Sequence, residues 1–216
     1  MKKSIYILIM TVVIGILSCV KQEDVKTIID TPIDTRVKDI DGNFYDTIKV
    51  GTQVWMKENL RTSHYNDGSV IPTGNSSWQS TTTGAFAVYN NVDSNNTIYG
   101  KLYNWYAVNT GKLAPKGWHV PTESEWTTLI NYLGGQYVAC SVMLSGNNNS
   151  FTTKLGGQHY SDNKFYYIET YGFFWTSTES TFPNGRYFTL CNCGTNVVSC
   201  YGSKMYGFSV RCIRDY

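Results

Sequence analysis

Six cysteines and three histidines are the side chains with the widest chemical reach in this 216-residue sequence. Cys191 and Cys193 would point to one face if both lay in a single strand, since side chains alternate along a strand. Two thiolates so placed suit a soft metal ion, yet neither Met nor His stands beside them, and no metal is expected. His64, His119 and His159 fall in no metal-ligand spacing, and no Gly-x-Ser-x-Gly turn accompanies them. His119 lies between Trp118 and a helix start and reads as a hydrogen-bonded structural residue. Glu123 and Glu125 sit where that helix begins, a place that favours negative charge without any acid–base role. No catalytic residue and no cofactor is expected, and the chain reads as a non-enzyme. The C-terminal region offers aromatic and amide side chains instead. Tyr187, Asn192, Asn196 and Tyr201 are the candidate ligand contacts, because tyrosine presents rigid area with a polar tip.

Charge narrows the partners. Charged residues make up 16% of the chain, below the roughly 25% of ordinary soluble domains. Setting aside Lys2 and Lys3 leaves 16 of the 18 basic residues against 16 acidic ones, so the remainder is formally neutral. No basic stripe tracks phosphates, which argues against nucleic acid. A surface made polar by Asn, Ser, Thr, Gly and 17 Tyr suits a glycan, a peptide or a protein partner.

The first residues read as an export segment. Met1-Lys2-Lys3 precedes an uncharged, mostly apolar run to Val20, the layout of a secretory signal and marginal in length for a membrane span. The run ends in Ile16-Leu17-Ser18-Cys19, which resembles the lipobox of bacterial lipoproteins. The resemblance implies a signal over residues 1–18, a lipidated Cys19 and attachment to a membrane through the lipid. Val20-Lys21-Gln22-Glu23-Asp24 resembles the tags that follow the lipidated cysteine in surface lipoproteins of Bacteroidetes, implying a surface-exposed outer-membrane protein. Residues 19–36, polar and carrying Pro32, read as lipid site and tether. Residues 37–216 suffice for one domain with its own core. Exported domains usually pair their cysteines; with Cys140, Cys191, Cys193, Cys200 and Cys212, one or two disulfides and an unpaired thiol are expected.

The elements that must position these side chains are mostly strands. Asp41-Gly42 and Gly51-Thr52 predict tight turns between Val37 and Met56. Asp39, Asp41 and Asn43 imitate a calcium loop without its Gly and distant Glu, and a hairpin is the better reading. Residues 63–99 read as a long irregular region. Leu102, Trp105 and Tyr106 have the spacing of a short helix. The clearest helix follows Pro121: Thr122 and Glu125 form a capping box, Trp126, Leu129, Ile130 and Leu133 form its apolar face, and Gly134-Gly135 ends it. From Cys140 onward, short aromatic and polar runs broken by Gly and Asn read as antiparallel strands. The fold class is α+β.

Four segments carry a wider resemblance: Gly51-Thr52-Gln53-Val54-Trp55-Met56-Lys57-Glu58-Asn59-Leu60; Tyr99-Gly100-Lys101-Leu102-Tyr103-Asn104-Trp105-Tyr106-Ala107-Val108; Gly117-Trp118-His119-Val120-Pro121-Thr122-Glu123-Ser124-Glu125-Trp126; and Gly207-Phe208-Ser209-Val210-Arg211-Cys212-Ile213-Arg214-Asp215. With Phe174-Trp175-Thr176-Ser177-Thr178-Glu179, they resemble the Fibrobacter succinogenes major paralogous domain. That pattern is similar to the C-type-lectin-like domain of formylglycine-generating enzymes. It implies a twisted antiparallel sheet, two helices and a loop-rich face. The paired cysteines those enzymes use, four residues apart, have no counterpart here, so their catalytic cysteine is not carried over. Ala114 stands where many family members have a Cys, which leaves Cys212 without its expected partner. A lipid-anchored binding or adhesion module is the favoured reading; an oxidase-like enzyme and a structural envelope component are the alternatives.

Overall fold

The computed structural model describes residues 36–74, 78–145 and 151–216; the signal, Cys19 and the tether fall outside them. The domain begins with the hairpin that Asp41-Gly42 predicts. β1 (Val37–Lys38) pairs antiparallel with β2 (Phe44–Tyr45), and Gly42 takes a φ of 85°, cheap only for glycine. The Asp39 carboxylate holds the turn, accepting hydrogen bonds from Asn43 N at 2.9 Å and the Tyr45 hydroxyl at 2.6 Å. A second hairpin, β3 (Thr47–Val50) and β4 (Gln53–Met56), reverses at Gly51-Thr52.

The described part of residues 63–99 is largely irregular, as composition predicts, apart from two single-turn helices, a two-residue strand and α1 (Asp93–Tyr99). No residue of α1 is buried, so it has no apolar periodicity to reveal it. β5 (Phe86–Ala87) pairs with β6 (Leu102–Tyr103). Leu102 therefore belongs to a strand, and the short helix expected there shrinks to α2 (Trp105–Val108). Asn104 explains the boundary. Its Oδ1 accepts from Ala107 N and Ala85 N, both at 3.0 Å, so one side chain caps the helix and pins the strand before it.

β7 (Trp118–His119) leads into α3 (Glu123–Tyr132). Its capping box forms as predicted: Thr122 Oγ1 accepts from Glu125 N at 3.2 Å, and Glu125 Oε2 accepts from Thr122 N at 2.8 Å. Trp126, Leu129 and Ile130 are buried. A further helix, α4 (Gln136–Leu144), follows directly after Gly135. It corrects the strand-only reading of the chain beyond Cys140, because residues 140–144 are helical. It buries Ala139, Cys140 and Met143, but the apolar Tyr137 and Val138 beside them are exposed, so its apolar residues run on around the helix and give no clear stripe.

Six strands complete the fold: β8 (Gly156–His159), β9 (Phe165–Ile168), β10 (Tyr171–Glu179), β11 (Asn184–Cys191), β12 (Val198–Ser203) and β13 (Ile213–Arg214). One sheet has the order β12-β11-β10-β8-β9, the other β3-β4-β13-β7. Pairing is antiparallel except between β8 and β10, which meet in parallel at Gly157 and Gly172; a wholly antiparallel sheet was the expectation. The result is an α+β fold, mostly sheet with few helices.

Both faces of the larger sheet are covered, by different layers. On one side α3 and α4 lie against it: Trp126 stacks on Phe188 with centroids 5.5 Å apart, among Phe174, Leu190, Ala139 and Met143. On the other side Phe173 and Trp175 pack against Tyr103, Trp105, Phe208, Val210 and Cys212. Residues 207–214 stitch the sheets together. Gly207 bridges His159, Phe208 bridges Tyr103 and Ser209 bridges Phe174. Further on, Val210 O and Cys212 O accept from Leu60 N and Met56 N at 2.8 and 3.0 Å. Ile213 then pairs with both Trp55 and His119. Arg211 is fully buried within this seam. Its guanidinium lies 4.8 Å from the Phe151 ring centroid and donates to Asn59 Oδ1 at 3.2 Å. Burial pulls its pKa down to about 10.

Candidate functional site

Most polar residues of the quoted segments are occupied by the architecture. Asn59 and Arg211 hydrogen-bond each other, and Asn59 Nδ2 also donates to Tyr99 O at 2.8 Å. The Trp105 and Trp175 indoles donate to Thr176 O at 3.1 Å and Tyr103 O at 2.8 Å. His119 is the hydrogen-bonded residue that the sequence predicts: Nε2 lies 2.9 Å from Glu125 Oε1 and Nδ1 2.6 Å from Asp215 Oδ1. Its bond to Glu125, then that to Asp215, raises its pKa above 6.5. His159 packs edge-on to Trp78 and Phe165 at 4.2 and 4.5 Å, and burial lowers its pKa to about 4. His64 Nδ1 meets Asp41 Oδ1 at 2.5 Å at the entry hairpin. These three histidines brace separate parts of the fold and do not converge on one site.

What the architecture leaves over is aromatic. Tyr160, Tyr166, Tyr167, Tyr171, Phe173, Tyr187, Phe208 and Tyr206 form a closed circuit, each ring centroid within 4.6–6.3 Å of its neighbours. Phe173 and Phe208 are its buried base, stacked at 5.1 Å. Tyr160 and Tyr167 are exposed, by 36% and 50%, and the other four tyrosines are half-buried. Tyr160 and Tyr206 stack at 4.6 Å, and the Tyr206 hydroxyl donates to that of Tyr160 at 3.0 Å. Such contacts, each worth about 0.5–1.5 kcal/mol beyond area burial, hold the rings in place. The Tyr166 hydroxyl donates to Asp162 at 2.6 Å on the rim.

One ring is held at a cost. Tyr167 has a φ of 69°, rare for a bulky residue. In β8–β9 pairing, Gly156 faces Ile168 and Gln158 faces Tyr166, so Tyr167 lies opposite Gly157, itself at a φ of 65°. A Cβ at Gly157 would come within 2.4 Å of Tyr166 O. Glycine therefore permits the kink that turns the Tyr167 ring outward. Strain of this kind, of order 1–3 kcal/mol, concentrates at functional sites.

The four residues singled out from sequence do not meet at one place. Tyr187 belongs to the circuit, but it is half-buried between Phe173, Trp175 and Phe208 and acts as wall rather than tip. Burial raises its pKa to about 12. Asn192 stands at the edge of the face, its amide donating to Glu169 O at 2.8 Å. Tyr201 pairs with Arg186 while Tyr187 pairs with Cys200, so alternation sends Tyr201 to the opposite face, 64% exposed, with the Arg186 guanidinium 5.9 Å from its ring centroid. Asn196 is half-buried in the turn before β12, next to Val197, whose N–H donates to Gln136 O at 3.0 Å. The tyrosines missed from sequence come from four places: Tyr160 from the turn after β8, Tyr166 and Tyr167 from β9, Tyr171 from β10, and Tyr206 from the turn after β12. Only the count of 17 Tyr hinted at them.

Cys140, Cys191, Cys193, Cys200 and Cys212 are free thiols, where one or two disulfides were expected. Cys212 is fully enclosed, and burial pushes its pKa far up. Cys191 ends β11 and Cys193 lies in the turn beyond it, so their facing is set by that turn rather than by one strand. Among the described residues no helix is long and apolar enough to cross a membrane.

No curated protein and no solved structure was found to match the chain. The sequence model of the Fibrobacter succinogenes major domain does match, over residues 48–214. That span runs from within β3 through the seam, and it takes in the segments from which the resemblance was read, save the final Asp215. The chain belongs to the Fibrobacter succinogenes major domain family.

Proposed function

We propose that this protein is a lipid-anchored recognition module of the cell envelope whose tyrosine circuit binds a neutral glycan. The observation that carries the reading is the circuit itself: rigid rings, two of them exposed, over a buried Phe173–Phe208 base. Ring faces pack on the apolar C–H faces of sugars, and tyrosine hydroxyls serve their polar edges. Pre-ordered side chains reduce the entropy lost on binding. A peptide or protein ligand would use the same rings. In this reading Cys19 carries the lipid, residues 20–36 supply the reach, and the surface-exposed outer membrane is the place of work.

The finer fold assignment, a C-type-lectin-like domain, belongs to the same proposal. Support comes from the sheet order, from α3 and α4 packed on one side, and from the pairing of β13 with β4 near the two ends of the domain. The fold alone would not decide activity.

The test uses full-length protein in detergent, probed against arrayed neutral and acidic glycans. Saturable binding that falls at least about ten-fold in Tyr167→Ala is expected, about 1.4 kcal/mol. Binding that survives both Tyr167→Ala and Tyr206→Ala would place the site elsewhere, and no binding by a folded sample would sink the glycan reading.

A further inference from the structure

The turn after β11 holds a second chemical feature, independent of the tyrosine circuit's ligand. Cys191 and Cys193 bring their sulfurs to 2.7 Å, against roughly 2.0 Å in a disulfide bond. The backbone is built to bring them there. Gly194 N donates to Cys191 O at 3.2 Å, closing the turn. A Cβ on Gly194 would lie 2.7 Å from Cys191 Sγ, so a glycine is needed for the buried sulfur to keep its place. Asn192 fixes the turn from outside through its bond to Glu169 O at 2.8 Å.

The two thiols are unlike. Cys193 is exposed, and Cys191 is buried beneath it. Contact with the Cys191 thiol, then with the Tyr171 hydroxyl 3.8 Å away, lowers the Cys193 pKa, while burial raises that of Cys191. An accessible thiol beside a protected one is the arrangement in which one sulfur attacks and the other resolves. A third thiol, Cys140, lies under the same turn, donating to Gly194 O at 3.8 Å.

We propose that Cys191 and Cys193 are a dithiol that closes to a disulfide by exchange with an external small-molecule disulfide, Cys193 attacking and Cys191 resolving. In the first step the Cys193 thiolate bonds to one sulfur of the external disulfide and expels the other as a thiolate. In the second, Cys191 gives its proton to solvent and attacks Cys193 Sγ, releasing the remaining external sulfur. Two protein thiols are oxidised and one disulfide is reduced to two thiols. Closure also removes the Cys193 S–H from the Tyr171 hydroxyl, at the edge of the tyrosine circuit.

Peptide mass spectrometry of the full-length protein, equilibrated with oxidised and reduced glutathione and quenched by alkylation, tests the proposal. Residues 187–204 form one tryptic peptide containing Cys191, Cys193 and Cys200. The expected oxidised peptide carries one alkyl group, on Cys200, with Cys191 and Cys193 joined. In the reduced protein Cys193 should alkylate at least about ten-fold faster than Cys200. Cys191→Ser should trap a stable glutathione adduct on Cys193, which wild type resolves. A persistent adduct on wild-type Cys193, or pairing of either cysteine with Cys140 or Cys200, would overturn the proposal. So would equal alkylation rates at Cys193 and Cys200.

Discussion

His119 stands between two carboxylates, and the arrangement ties stability to pH. Its folded pKa lies above 6.5, so the stabilisation it gains is fully present below about pH 6.5 and drains away as pH rises through the folded value. Burial pushes Glu125 up, but hydrogen bonds from His119 and Thr122 outweigh this and hold it below 4.5; its share is lost as pH falls through that lower value. The contact therefore contributes most in mildly acidic solution. His119→Gln should lower the unfolding midpoint at about pH 5.5 and much less at about pH 8.5, by under about 1 kcal/mol because the ring is partly exposed. Thermal melts of both proteins at the two pH values check this; a pH-independent loss would mean that packing alone is at work. Arg211 is the more demanding residue. Its removal leaves Asn59 Oδ1 and Thr152 O, which it serves at 3.2 and 2.5 Å, without donors. Arg211→Met should destabilise by about 2–4 kcal/mol, read from urea unfolding.

At the scale of elements, α3 was legible because its signals are local. The capping box, the apolar stripe and the closing glycines all lie within residues 122–135. The two hairpins at Gly42 and Gly51 were legible for the same reason. α1 and α4 were not, since one buries nothing and the other has no capping side chain and carries apolar residues on its exposed face as well as its buried one. The tyrosine circuit was out of reach because β9, β10, β11 and the seam come together only in the folded chain. Tyr187 was found by composition and Tyr201 was misplaced beside it; alternation on β12 separates them. Thr122→Ala should remove about 1 kcal/mol of stability through its cap. At Gly185 on β11 an added Cβ would lie 2.4 Å from Trp105 Cδ1, so Gly185→Ala should remove about 1–3 kcal/mol or more by overpacking. Denaturant midpoints of the two variants test both statements, and an unchanged Gly185→Ala would mean that α2 slides aside at little cost.

For the whole molecule, the seam and the proposed anchor act at opposite ends of the chain. If Cys19 carries lipid, Cys19→Ala should move the protein from the membrane fraction to the soluble fraction while leaving the unfolding midpoint of the domain unchanged. Retention of the variant in membranes would point to another means of attachment. The seam has a consequence of timing. Ile213 pairs with Trp55 and His119, and Phe208 with Tyr103, so strands made early wait for partners made much later. Closing such distant pairs makes folding slow. Residues 207–214 are made after every strand they join, and until they arrive the two sheets lack these pairings. If residues 1–18 direct export, a domain whose sheets join this late suits passage as an open chain, and deleting residues 207–214 should leave it open for good.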